Sequence, residues 1–84
     1  MQEREVMLAN AEGLHARPAA LFARAAAKYA CDVTVENKGV AVNAKSILSL
    51  LKADVSQGDT ITLRCDGPDE NEAIAGLMEV IASL

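Results

Sequence analysis

The sequence predicts an α+β fold in which helices cover one face of a β-sheet and leave the other face open. Several short segments alternate apolar and polar residues, which is typical of strands with one buried face. Longer segments place apolar residues at helical spacing. Along the chain the order is strand, helix, strand, strand, helix, strand, helix. Because the strands alternate, one side of the sheet faces solvent and the helices pack on the other.

The first two elements are a short strand and an Ala-rich helix. Val6 and Leu8 alternate with other residues in the first strand, which ends in the turn-prone segment from Asn10 to Gly13. A helix is predicted from Ala16 to about Tyr29. Pro18 fits this prediction because proline is tolerated in the first turn of a helix. The basic residues of the helix, which occupy a different face from its apolar ones, are Arg17, Arg24 and Lys28.

The middle of the chain predicts a hairpin followed by a short helix. Alternation over 32–36 and 40–43 indicates two strands, and Asn37-Lys38-Gly39 provides the turn between them. Ser46 precedes the apolar run from Ile47 to Leu51 and is well placed to cap its N-terminus.

The last two elements are a strand and the C-terminal helix. The segment from Thr60 to Cys65 alternates as a half-buried strand does, and Asp66-Gly67-Pro68 ends it. Asp69 and Glu72 have the spacing of a capping box, which predicts a helix that starts there and continues to the C-terminus.

Length and composition predict one small domain over residues 1–84 with an aliphatic core. Hydrophobic residues make up 51 % of the chain and aromatic residues only 2 %, so aromatic stacking platforms for nucleobases are absent. A net charge of −4 argues against nucleic acid as the main partner. The N-terminal residues do not resemble a signal peptide and no run is long enough to span a bilayer, so we expect a cytoplasmic protein without membrane insertion.

Cys31, Cys65 and the single histidine do not form a metal-binding pattern. The cysteines are far apart in sequence and belong to no Cys-x-x-Cys pair, so no metal or other cofactor is expected. The simplest interpretation is that both are small core residues, and a disulfide between them is the alternative.

His15 lies at the predicted start of the first helix, two residues before Arg17. A helix start offers unpaired N–H groups and a positive dipole end, and arginine adds a permanent charge, so an anion held on the imidazole would be stabilised there. Neutral imidazole is also a nucleophile near neutral pH. These residues alone leave two interpretations open: a carrier of a phosphoryl group, or an ordinary surface histidine at a helix start.

With both the order of elements and two separate motifs, the chain resembles the HPr family over its full length. These proteins are the histidine-containing phosphocarriers of the bacterial phosphoenolpyruvate-dependent sugar phosphotransferase system. The segment from Gly13 to Ala19 is similar to the family's phosphorylation motif, and the segment from Asn43 to Ile47 to its signature around a regulatory serine. The resemblance implies an open-faced β-sandwich, a four-stranded antiparallel sheet with three helices on one face in the order βαββαβα.

The resemblance also implies roles for individual residues. His15 would accept a phosphoryl group from enzyme I and pass it to enzyme IIA proteins, with Arg17 stabilising its charge, so the protein would be a carrier rather than an enzyme. Ser46 would be a target for a serine kinase in some bacteria, or simply a helix cap. The surface that binds these transient partners would comprise Ala20, Arg24, Ile47, Leu48 and Leu51.

Further expectations accompany this resemblance. Ile47, Leu50 and Leu51 have a second interpretation as core residues, and we expect this of some of them. The basic patch is expected to depend mainly on Arg17, Arg24 and Lys45. We expect a monomer, and the nitrogen-regulatory branch of the family, a phosphorelay with the same histidine motif, is the alternative to sugar transport.

Overall fold

The computed structural model describes all 84 residues and contains four strands and three helices in the predicted order. The strands are β1 (Gln2–Met7), β2 (Asp32–Asn37), β3 (Val40–Asn43) and β4 (Thr60–Asp66). The helices are α1 (Ala16–Ala27), α2 (Ile47–Ala53) and α3 (Glu70–Ala82).

The four strands form one antiparallel sheet in the order β1-β4-β2-β3. Val35 of β2 pairs with Val42 of β3 and with Leu63 of β4, so side chains of one alternating set face the helices. The other set, which includes Arg64 and Thr34, lies on the open face. The predicted α+β class, an open-faced sandwich, is therefore confirmed.

The β2–β3 hairpin fixes the position of α2 as well as that of its own strands. Lys38 and Gly39 both have positive φ, at 53° and 82°, as a two-residue hairpin turn of this kind requires. Asn37, at the end of β2, is buried, and its Nδ2 donates to Ala53 O at 3.1 Å. This bond satisfies one of the carbonyls that a helix leaves unpaired at its C-terminus and attaches the end of α2 to the sheet.

The core between sheet and helices is aliphatic apart from Phe22, as the composition predicts. Cys31 and Cys65 both belong to it, and both are free thiols, which confirms their interpretation as small core residues. Burial raises the pKa of the Cys31 thiol to about 12. Because the thiolate is the reactive form, Cys31 is held in its unreactive state at neutral pH.

The capping box predicted at the start of α3 does not form. Asp69 is the N-cap residue, but its carboxylate makes no cap bond and instead accepts from Ala30 N at 2.8 Å and Cys31 N at 2.9 Å. These bonds, that from Ala30 above all, lower the pKa of Asp69. The carboxylate thus connects α3 to the loop after α1, where two amides lie within its reach.

Candidate functional site

His15 joins the β1–α1 loop to α1, and its side chain is 37 % exposed. The loop before it is held against the segment that follows α2, where Leu14 N donates to Val55 O at 3.0 Å. Gly13 has a φ of 57°, and a Cβ there would overlap the backbone of Val55 and Ser56. Only glycine therefore allows the approach that places His15 beside the end of α2.

The backbone after His15 departs from regular helix geometry. Ala16 has a φ of 52°, a left-handed conformation that costs an L-residue about 1 to 2 kcal/mol. The amides of Ala16 and Arg17 have no acceptor in the protein. Two N–H donors at the positive end of α1 are thus free within two residues of the imidazole.

Arg17 is exposed and forms neither an ion pair nor a hydrogen bond through its guanidinium group. It lines a groove of about 640 Å³ between the start of α1, Glu12 of the β1–α1 loop and the C-terminal residues Ser83 and Leu84. The guanidinium group of Arg17 therefore has no partner in the protein, and it faces solvent, from which it can bind an anion.

Asp54 is the residue at this site that the sequence did not reveal. Its Oδ1 lies 3.2 Å from His15 Nε2, and its side chain is 76 % exposed. Asp54 ends α2 in a left-handed conformation, with φ and ψ both 51°. Nothing local in the sequence marks this contact, because it depends on how the β1–α1 loop packs against the end of α2.

The residues predicted to bind partners lie on α1 and α2, which contact each other. Leu48 is 73 % exposed, and Ile47, Leu51 and Arg24 are exposed as well, while Ala20 is partly buried. Leu50 is fully buried, so the core interpretation applies to it and not to Ile47 or Leu51. We give the name helical surface to the five predicted residues on α1 and α2, namely Ala20, Arg24, Ile47, Leu48 and Leu51.

Ser46 and Lys45 both have structural partners in the segment before α2. Ser46 Oγ accepts from Ser49 N at 3.2 Å, so its predicted role as a cap is confirmed. Lys45 Nζ donates to Tyr29 O at 2.8 Å, just beyond the end of α1. This bond uses one of the three N–H donors of the ammonium group and leaves its charge in place, so the expectation that Lys45 belongs to the basic patch stays a prediction.

The structure shows no metal-binding cluster of side chains and no helix that could span a membrane. No group of three or more His, Cys, Asp or Glu residues could hold a metal ion. None of the helices has the length and apolar character needed to cross a bilayer.

Comparison with known proteins connects this geometry to one family. Residues 2–83 match the family model described as the PTS HPr component phosphorylation site. The HPr-like protein Crh of Halalkalibacterium halodurans is 42 % identical over 81 residues, which are 96 % of each chain.

Two solved structures extend the similarity to three dimensions. HPr of Thermoanaerobacter tengcongensis has a TM-score of 0.96 and 44 % identity, covering 99 % of this chain and 93 % of its own. Crh of Bacillus subtilis, solved as a dimer with a swapped domain, has a TM-score of 0.79 and 41 % identity, covering 99 % and 95 %. Since that relative is a dimer, the monomer expected here stays a prediction. The family model and these relatives show that the chain belongs to the HPr family, the phosphocarriers of the phosphotransferase system.

Proposed function

We propose that His15 accepts a phosphoryl group from enzyme I, which obtains it from phosphoenolpyruvate, and passes it to enzyme IIA proteins. One observation carries this proposal: the half-exposed imidazole lies within two residues of two unpartnered amides and an unpaired guanidinium group. These N–H groups and the positive end of the helix dipole favour binding of an anion beside the imidazole.

In the transfer step, a lone pair of the imidazole attacks the phosphorus atom of the donor. The bond from phosphorus to the donor breaks, and its electron pair leaves with the donor. The second transfer reverses these events on an acceptor histidine or other nucleophile. The phosphoryl group carries up to two negative charges, and hydrogen bonds to a charged group contribute about 1.5 to 3 kcal/mol each. Arg17 therefore contributes more than the helix dipole, which contributes about 0.3 to 1 kcal/mol.

The helical surface provides the contact area for both partners. Leu48, Ile47 and Leu51 form an apolar patch beside Arg24, and transient interfaces combine an apolar centre with a polar rim. The cations on α1 favour partners whose own surface is acidic. The same surface serves donor and acceptor in turn, so each complex must dissociate before the next forms.

The test is incubation with enzyme I and radiolabelled phosphoenolpyruvate. We expect one phosphate per chain, labile in acid and stable in base, as expected of a phosphohistidine. His15→Ala removes the only histidine and should abolish the label. Glu12→Gln is a control for disturbance of the loop and should retain the label. Label that persists in a folded His15→Ala protein would disprove the assignment.

A second function, regulation through Ser46, is favoured by a separate observation. Ser46 is only partly buried and directly precedes Ile47 of the helical surface, so a phosphate there would add negative charge beside the partner contacts. The similar Crh structure from Bacillus subtilis is described as a catabolite repression protein. Incubation with ATP and a serine kinase of a related bacterium tests this, and Ser46→Ala should abolish incorporation while His15→Ala should not.

A further inference from the structure

We propose that Asp54 is a positioning residue for His15, which holds the imidazole in one orientation and keeps its proton on Nε2. This inference rests on the proposed function, because it concerns the state in which His15 meets its phosphoryl donor. The observation that carries it is the 3.2 Å contact between Asp54 Oδ1 and His15 Nε2.

A hydrogen bond formed at this contact would determine which ring nitrogen is free. A carboxylate only accepts hydrogen bonds, and a neutral imidazole has a single N–H, so a hydrogen bond to Asp54 requires the proton on Nε2. Nδ1 then carries the lone pair. Nδ1 is bonded to Cγ and is therefore closer to the backbone of His15 than Nε2, and the amides of the next two residues, Ala16 and Arg17, have no acceptor in the protein. A phosphoryl group on Nδ1 would therefore lie closer to the backbone than one on Nε2.

The backbone around Asp54 holds its carboxylate in place. Asn37 Nδ2 donates to Ala53 O at 3.1 Å, and Leu14 N donates to Val55 O at 3.0 Å, so the residues on both sides are anchored. Asp54 also donates its own N–H to Leu51 O at 3.2 Å. A mobile terminal loop could not fix an imidazole, whereas a residue between two anchored neighbours can.

The helix end itself does not require an acidic side chain at this position. A left-handed residue that ends a helix is usually glycine, because an L-side chain is disfavoured there. The Asp54 carboxylate forms no hydrogen bond with another residue, and its one charged contact is with His15. Its only polar contact is His15, so the position carries an aspartate where the fold alone would favour glycine.

During phosphoryl transfer the proton on Nε2 does not move. Nδ1 forms the new bond to phosphorus, the donor retains the electron pair of the broken bond, and the ring acquires a positive charge shared with Nε2–H. The Asp54 carboxylate is in direct contact with that charge. Its repulsion of the phosphoryl group acts across the width of the ring and through solvent, which weakens it. The direct contact therefore dominates.

Three variants test the proposal. Asp54→Gly removes the side chain and suits the left-handed backbone, so it should fold at least as stably as the parent. Asp54→Asn keeps the size of the side chain, but its amide can accept from Nε2–H or donate to an unprotonated Nε2, so it does not select one tautomer. Glu12→Gln is the matched control, because it removes one negative charge from the loop beside His15 without a contact to the ring.

Two measurements are made on each protein. Nitrogen-15 NMR of the unphosphorylated imidazole, at a pH where it is neutral, reports which nitrogen is protonated. Single-turnover phosphorylation by saturating enzyme I reports the transfer step. We expect Asp54→Gly to increase the Nδ1–H form and to slow transfer about 10-fold, equivalent to about 1.4 kcal/mol. Asp54→Asn should give a tautomer ratio between those of Asp54→Gly and the parent, and Glu12→Gln should have the parent's tautomer ratio and transfer no more slowly than the parent.

The outcomes separate this inference from the proposed function. If Asp54→Gly has the parent's tautomer ratio, or transfers no more slowly than Glu12→Gln, Asp54 does not position the ring. If the parent is not phosphorylated on His15, the proposed function fails. The tautomer comparison needs no phosphate, so it still decides whether Asp54 holds the imidazole.

Discussion

The basic side chains on the two sides of this molecule differ in whether they form ion pairs. On the open face of the sheet, Arg64 forms two ion pairs. Its Nε lies 2.7 Å from Glu3 Oε2, and its Nη2 lies 2.7 Å from Glu36 Oε1. On the helical side, the cations that form no ion pair or hydrogen bond through their side chains are Arg17 and Arg24 of α1, Lys28 at the C-cap of α1, and Lys52 of α2. The chain has a net charge of −4, yet it leaves these helical cations without acidic partners. The arginine charge on the sheet is neutralised by ion pairs within the fold, whereas the positive charges on the helical side are free to bind an anion or an acidic partner.

The cause of this difference lies in the local sequence. On the sheet, Arg64 of β4 is directly opposite Glu3 of β1, and β2 brings Glu36 to its other side. Oppositely charged cross-strand neighbours stabilise a sheet. In contrast, α1 contains two arginines and no acidic residue, so no pair one turn apart can form within it.

Substitution of one arginine from each side should give opposite results. Arg17→Ala removes a donor to the phosphoryl group, and loss of a hydrogen bond to a charged group corresponds to about 10- to 100-fold slower transfer. Its stability should be unchanged because Arg17 makes no contact that the fold needs. Arg64→Gln should transfer at the parent's rate, with a slightly lower denaturation midpoint. Stopped-flow transfer from enzyme I and urea denaturation measure the two effects.

The opposite pattern of effects in the two variants would contradict the assignment of binding to the helical cations. If Arg64→Gln slowed transfer while Arg17→Ala lowered the denaturation midpoint, the cations of the sheet would be the functional ones. An Arg17→Lys variant provides a graded control, since it keeps the charge and loses the planar fork of donors.

Two exposed aliphatic residues extend the comparison from charge to apolar surface. Leu48 of α2 and Val40 of β3 are both exposed, but only Leu48 belongs to the helical surface. Full burial of a leucine side chain contributes about 1.5 to 3 kcal/mol, so Leu48→Ser should weaken binding to enzyme IIA about 10-fold. Val40→Ser should leave it unchanged. Titration calorimetry of both variants measures this, and equal losses would place the partner surface elsewhere.

The fold was predictable because its signals are local. Alternation fixes each strand, the Lys38-Gly39 turn fixes the hairpin, and Ser46 precedes the helix that it caps. The resemblance to a family then supplied the antiparallel arrangement of all four strands, which local patterns alone did not establish.

What the sequence missed depends on contacts between distant segments. Asp69 has the spacing of a capping residue, yet the free amides after α1 bind its carboxylate instead. Lys45 donates to Tyr29 O, a contact between segments that the sequence did not predict. Leu50 and Leu51 are chemically identical neighbours, and only the orientation of α2 decides that the first is buried. For Asp54 no pattern existed, because its contact with His15 requires two loops to meet.

Ser46 gives the smallest effect, and it separates structural from binding roles within the helical side itself. Ser46→Ala loses the cap bond to Ser49 N, which should lower the free energy of unfolding by about 1 kcal/mol and leave transfer unchanged. Ser46→Asp should retain that stability, because aspartate caps as well as serine and its charge suits the helix start. Its negative charge beside Ile47 should nevertheless slow transfer several-fold.

Urea denaturation and stopped-flow transfer measure the two effects. If the cap stabilises α2 and the adjoining surface binds acidic partners, Ser46→Ala loses stability alone and Ser46→Asp loses transfer rate alone. If Ser46→Asp were both as stable and as fast as the parent, the charge of the helical surface would not guide partner binding, and the contrast with the sheet would be limited to Arg17.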